Sequence, residues 1–331
     1  MRVRRIAAGL LAAVCALSVC TGCRVGDTEL VWKADKLGSH KYVFTVNGTA
    51  CDIRQAKLYL CNYRNLYGNA YGMDLWEQDY GDESLEQYVK DVTLQELSSI
   101  LCMELLAKQM DMELTDAEQE LAAKAAAEYY ASLGEAELAY MELRESDVVR
   151  AYGQYALAKK LYDSLTYGID EEVSDDEARV ITVQQIFVLD QETAGKVEEK
   201  LAAGDDFAAV ASAYNQTGEI ERTVARDELP QEVENIAFNL DNGAVSDCIE
   251  TEDGCYFIKC LSKLEEELTE ENKENIRKKR RMAQFDEVYQ TFVDSAEFEL
   301  NTEIWDEIAL EKTDGITTDS FFEIYSKYFS E

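Results

Sequence analysis

The chain has 331 residues, with 67 acidic and 32 basic side chains, a net charge of −35 and a single histidine. So acidic a surface argues against electrostatic docking on nucleic acid or anionic lipid, both of which reward lysine and arginine. His40 alone excludes Cys/His zinc spacing and serves at most one triad, and no Gly-x-Ser-x-Gly elbow, Gly-rich phosphate loop or His-Glu-x-x-His occurs. No metal and no cofactor is expected.

The chain opens with Arg2, Arg4 and Arg5 before an apolar run from Ile6 to Val19. These are the n-region and h-region of an export signal, too short for a stable membrane span. The run ends at Cys20-Thr21-Gly22-Cys23, which resembles a bacterial lipobox and predicts a lipid on Cys23. Cys20, with Leu17 three residues before it, is the other candidate, and cleavage without lipid is the plainer alternative. Removing the three signal arginines takes the net charge from −35 to −38. Residues 1–22 are therefore read as a signal peptide and 23–41, with His40, as a tether. No later segment is long and apolar enough to span a bilayer, which places the rest outside the cytoplasm.

Pro230 is the only proline, so long helices are expected. Tyr42 to Thr49 alternates apolar and polar residues and reaches Asn47-Gly48, a strand entering a hairpin. A tyrosine-rich helix follows from about Asp52 to Tyr71. Leu85, Val89, Val92, Leu94, Leu97, Leu101 and Leu105 trace a helical apolar stripe. Thr115 and Glu118 form a capping box before a helix from Asp116 to about Leu133. A further helix covers about Glu145 to Leu165, and Ser174 with Glu177 is a second box opening a short turn.

At Arg179 the period changes. Val180 to Val188 is β-branched and strand-like. Helices follow to Leu201, from Phe207 to Tyr214 and from Gln231 to Phe238. Ala244–Ile249 and Cys255–Cys260, joined through Glu252-Asp253-Gly254, read as a closing hairpin. Together these make a small α+β unit. Helix resumes after Leu264 to about Ala296, and an amphipathic piece ends at Glu331.

Four blocks of the middle region carry a family resemblance. They are Val183–Val188, then Gly204-Asp205-Asp206-Phe207-Ala208-Ala209-Val210-Ala211, then Ala237-Phe238-Asn239-Leu240 with Gly243 and Ser246, then Gly254–Lys259. In this order and spacing the region 179–263 resembles a parvulin-type (rotamase) domain. Thr45-Val46-Asn47-Gly48 ahead of a helical region resembles the start of SurA- and PrsA-like foldases. The resemblance implies an α+β fold class. A mainly helical chaperone lobe, 42–178, carries the inserted parvulin-like domain, and helices in 264–331 pack back on the lobe.

It also implies a site. Active parvulins place histidines on the first and last strands of the prolyl pocket, where this chain has Gln185 and Tyr256. The family's Gly-rich turn is replaced by Asn215-Gln216-Thr217-Gly218-Glu219-Ile220-Glu221, and the apolar pocket is Leu229, Val233 and Phe238. Isomerisation needs only preferential binding of a twisted amide across a barrier of roughly 18–20 kcal/mol. Gln185 and Tyr256 both carry donors, so the substitutions do not by themselves exclude activity. With both histidines, the turn and the pocket aromatic changed together, the domain reads as a peptide-binding or structural module of weak or lost isomerase activity.

Two other features have two readings each. Tyr59, Tyr63, Tyr67 and Tyr71 recur every fourth residue, with Trp76 and Tyr80 beyond, as a cradle for aromatic-rich clients or as an ordinary packed helix face. Arg277 to Arg281 is a basic run that contacts polyanions or pairs with neighbouring glutamates. Cys51, Cys61, Cys102, Cys248, Cys255 and Cys260 are read as buried free thiols, with one disulfide within the last trio left open. The expected function is a lipid-anchored folding factor on the extracytoplasmic face of a bacterial membrane, whose partners are unfolded exported polypeptides. An active isomerase and a surface lipoprotein with one specific partner are the alternatives.

Overall fold

With proline confined to Pro230, little interrupts backbone hydrogen bonding, and helices run up to 30 residues. The structure, a computed structural model, describes residues 33–34, 42–71, 85–169, 172–308 and 315–329. The signal, Cys20, Cys23, His40, Trp76 and Tyr80 lie outside them. In chain order the elements begin with β1 Lys33–Ala34, β2 Tyr42–Val46, β3 Thr49–Asp52, α1 Ile53–Tyr71, α2 Leu85–Gln109, α3 Asp116–Ser132, α4 Glu135–Met141, α5 Glu145–Leu165 and α6 Asp175–Ala178. Next come β4 Ile181–Val188, α7 Gln191–Ala202, α8 Phe207–Tyr214, β5 Glu221–Val224, α9 Gln231–Ala237, β6 Ile249–Glu250 and β7 Cys255–Ser262. The last are α10 Glu266–Ser295, β8 Phe298–Leu300, α11 Thr302–Glu307 and α12 Phe321–Phe329. The chain divides into two compact units, Met1–Gly168 with Met282–Glu331, and Ile169–Arg281. The fold class is α+β, mainly helical, with a small antiparallel sheet unit inserted in the sequence.

In the first unit Asn47 and Gly48 both take positive φ, 49° and 76°, the geometry of a tight hairpin turn between β2 and β3. The Asn47 side chain also accepts the Glu297 N–H at 2.8 Å, and this fastens the start of β8 beside β2. The sheet order is β1-β8-β2-β3, so the far end of the chain supplies an inner strand. Thr115 and Glu118 make the expected capping box at α3. Buried Lys90 donates to the Trp305 and Ile308 carbonyls at 2.7 and 3.0 Å and so caps α11.

The tyrosine stripe of α1 faces inward: Tyr59, Tyr63 and Tyr67 are 0%, 8% and 6% exposed. As open client-contacting residues these three are corrected, because Phe321 and Phe322 of α12 pack on Tyr59 and Tyr63, and Tyr88 of α2 packs on Tyr67; the packed-face reading describes them. Cys51, Cys61 and Cys102 are buried free thiols, and desolvation pushes Cys61 and Cys102 up to about 12.

The second unit is one antiparallel sheet, order β5-β4-β7-β6. Ile186, Val188, Cys255 and Phe257 pack one face against α7 and α8. Ile181, Val183 and Ile258 pack the other against α9. The unit reaches beyond residues 179–263 because α6 is tied to the first half of α10, by Lys273–Asp175 at 2.5 Å and Arg280–Glu177 at 2.6 Å. Arg277 pairs with Glu274, so Arg277 and Arg280 of the basic run pair with glutamates inside the unit. The free-thiol reading is corrected at one place: Cys248 and Cys255 form a disulfide across the β6–β7 hairpin, with Cα atoms 6.0 Å apart.

One core group opposes folding. Glu96 of α2 is buried, its Oε1 has no hydrogen-bond partner, and desolvation raises its pKa to about 8, against the pull of Lys159. A carboxyl with a raised folded pKa lowers stability once it ionises, so the native chain weakens as pH climbs from about 5 through 8. Glu96→Gln should therefore raise the stability of the first unit by about 2–4 kcal/mol at pH 9 and change it little at pH 5. Thermal unfolding at the two pH values checks this, and equal shifts at both would refute it.

Candidate functional site

The side chains named from sequence meet on one face of the second sheet. In the β4–β7 ladder Gln185 pairs with Ile258, and Phe187 pairs with Tyr256. Strand alternation then puts Gln185, Phe187, Tyr256 and Ile258 on the face that packs α9. Leu229 precedes α9, Val233 lies within it and Phe238 caps its C-terminus. They are 7%, 0% and 2% exposed, in one cluster with Ile181, Val183, Val224, Ile249 and Ile258. The sequence-predicted pocket is thus assembled, but its apolar members are core side chains.

Gln185 is committed to the fold. Its Nε2 donates to Thr217 Oγ1 at 3.2 Å and to the Glu219 carbonyl at 3.0 Å, and its own N–H donates to the Ile220 carbonyl at 2.7 Å. Its Oε1 is buried and unpaired. The segment Asn215–Glu221 is thereby held to β4, with the Gln185 amide as a structural strut.

Tyr256 is half-buried, its ring 4.6 Å from that of Phe187. Desolvation and the charge of Asp253 raise its pKa, so the phenol stays a neutral donor at physiological pH. Gly254, two residues earlier, has φ 153°, and a Cβ there would overlap the Val188 carbonyl and come within 2.9 Å of the Phe187 ring. Only glycine lets the hairpin close against β4 and set Tyr256 beside Phe187.

Several residues of this face were not foreseen. The Arg226 guanidinium lies 4.2 Å from the Phe238 ring centre, and that of Arg179 lies 5.3 Å away. Asp176 receives Arg226 at 3.0 and 3.1 Å and Arg179 at 3.0 Å, and Glu234 stands 3.6 Å from Arg226. The ring on which an apolar ligand would pack is covered by cations fixed to α6 and α9. Asp176 and Arg226 are fifty residues apart, and no local pattern announces such a pairing.

Known proteins share this region. Residues 170–274 match the model of the PPIC-type PPIASE domain. The middle of the chain is similar to that domain. Foldase protein PrsA 4 of Bacillus cereus is 32% identical over 130 residues, covering 38% of this chain and 45% of that protein. Foldase protein PrsA 3 of the same species is 36% identical over 116 residues, covering 33% and 41%. The chain thus spans less than half the length of these relatives. A crystal structure of the peptidylprolyl isomerase PrsA from Bacillus cereus aligns with 75% of this chain and 96% of that one, at 22% identity and a TM-score of 0.37.

Within this PPIC-like region the disulfide fastens the hairpin carrying Tyr256. Closing so short a loop restricts the unfolded chain by about 2–3 kcal/mol. Replacing Cys248 and Cys255 together by serine should lower the stability of this unit by that amount. Without reductant, Cys51, Cys61, Cys102 and Cys260 should react with a thiol reagent only after denaturation, and Cys248 and Cys255 only after reduction. Equal reactivity of all six in unreduced, denatured protein would contradict the pairing.

Proposed function

We propose that this chain is an extracytoplasmic folding factor, held at a bacterial membrane through lipid on Cys23, whose PPIC-type domain binds client peptides with weak or no isomerase activity. The carrying observation is the state of the site: Gln185 is locked to Thr217 and Glu219, and Arg226 lies over Phe238. A prolyl ring seeking Leu229, Val233 and Phe238 meets a closed core and a pinned guanidinium. Similarity to proteins named foldases supports the general role. No helix among the described residues is long and apolar enough to cross a membrane.

In this reading the helical lobe, residues 42–178 with 264–331, holds unfolded exported polypeptides, and the domain at 179–263 offers a second peptide contact at half-buried Tyr256, which stands over the closed core of Leu229, Val233 and Phe238. The neutral phenol of Tyr256 favours a second reading, an active isomerase in which that hydroxyl donates to the twisted amide.

A protease-coupled isomerisation assay across residues preceding proline should give uncatalysed rates, while equimolar chain slows aggregation of an unfolded client. Acceleration that Tyr256→Phe removes would establish the enzyme instead. Aggregation unchanged at equimolar ratio would sink the folding-factor reading.

A further inference from the structure

The first unit holds a segment of its own chain as a protein holds a bound peptide. Residues 315–320 enter the core in neither helix nor strand, and side chains satisfy their main-chain groups. Glu137 Oε1 accepts the N–H groups of Thr317 and Thr318 at 2.9 and 2.7 Å. Asn65 donates to the Thr318 carbonyl at 2.8 Å, Asn62 Oδ1 accepts the Phe321 N–H at 3.1 Å, and Tyr152 OH donates to the Phe321 carbonyl at 2.8 Å. Gly315 opens the segment at φ 86°.

Beyond this main-chain clamp lie aromatic sockets. Phe321 stacks on Tyr152 with ring centres 4.2 Å apart, and Tyr59 and Tyr129 close around it at 5.1 and 5.4 Å. Phe322 sits 5.3 Å from Tyr63 and 5.7 Å from Tyr155, and Tyr325 is 4.6 Å from Tyr155. At the rim Lys327 and Tyr328 reach Glu128 at 2.7 Å, with the Lys327 side chain 60% exposed.

We infer that residues 315–329 are the resident occupant of a peptide-binding groove, which exchanges them for client segments with aromatic side chains spaced like Phe321, Phe322 and Tyr325. This rests on the client-holding reading proposed above. The clamp reads N–H and C=O groups, which every polypeptide presents, so foreign sequence is accepted. Flat, rigid rings make sockets that take any aromatic side chain at low entropic cost. The occupant is separable: α12 has nine residues, too few to persist as a helix alone, and the rim ion pair is exposed and weak. A tethered occupant acts at roughly millimolar effective concentration, so free segments compete poorly until it is loosened.

The test uses the full chain and a dye-labelled peptide of residues 315–329. A chain carrying Phe321→Ala should bind that peptide at least tenfold more tightly than the native chain does. A peptide carrying Phe321→Ala should not bind. A second chain, Glu128→Cys with Lys327→Cys, locks the occupant on oxidation; locking should abolish peptide binding and cut client holding at least tenfold, and reduction should restore both.

Failure of the peptide to bind a folded Phe321→Ala chain, or equal client holding by locked and open chains, would overturn the groove. If Phe321→Ala unfolds the protein, Tyr325→Ala and the lock decide the matter by the same readouts. Peptide exchange with no client holding by any form would leave the groove and overturn the folding-factor reading.

Discussion

Buried main-chain groups must find partners, and a chain that enters a core outside helix or sheet takes them from side chains. The first unit depends on that constraint at residues 317–321. Glu137 is spent on the N–H groups of Thr317, Thr318 and, through its second oxygen, Gly134 at 2.7 Å, so one carboxylate starts α4 and seats the C-terminal segment. Asn62 likewise links Tyr129, at 2.7 Å, to the entry of α12. Once the segment is fixed, Phe321 fills the space among α1, α3 and α5, and the inward tyrosines of α1 have something to pack on.

The second unit is governed by a different rule, the two-sidedness of a sheet. Alternation sends Ile186, Val188 and Phe257 to helices on one side, and Gln185, Tyr256 and Ile258 to α9 on the other. The chemistry of the second side is limited by the residues this chain places there. An amide tied to its own loop and a neutral phenol supply hydrogen bonds, but no group that titrates near neutrality. Arg226 and Arg179 add positive charge over an aromatic ring, balanced by Asp176 and Glu234.

Much of this was legible in the sequence. Long helices followed from a single proline, the hairpin from Asn47-Gly48, the α3 start from Thr115 with Glu118, and the inserted domain from four ordered blocks. Short elements were missed. β5, Glu-Arg-Thr-Val, carries too little apolar pattern to be seen, and α4 is only seven residues. β8 is three residues long and exists because β2 and β1 pair with it. The expected strand at Ala244–Ile249 shortens to β6, because the Ser246 hydroxyl, rather than a main-chain group, receives the Ile258 N–H at 2.9 Å. At the site, the positions of Gln185, Tyr256, Leu229, Val233 and Phe238 were readable, but their degree of enclosure was not.

The sequence by itself determined what local physics decides. Proline and glycine placement set the helix lengths and turns, periodicity set which faces are apolar, and the lone histidine ruled out Cys/His zinc spacing. Only the tertiary structure decided which faces meet. Whether the tyrosines of α1 stay open depends on a helix some 260 residues later, and whether Phe238 is free depends on Arg226 and Asp176 from separate elements. Contacts of such sequence separation leave no periodic trace, because they are selected by the shape of the assembled core rather than by neighbouring residues.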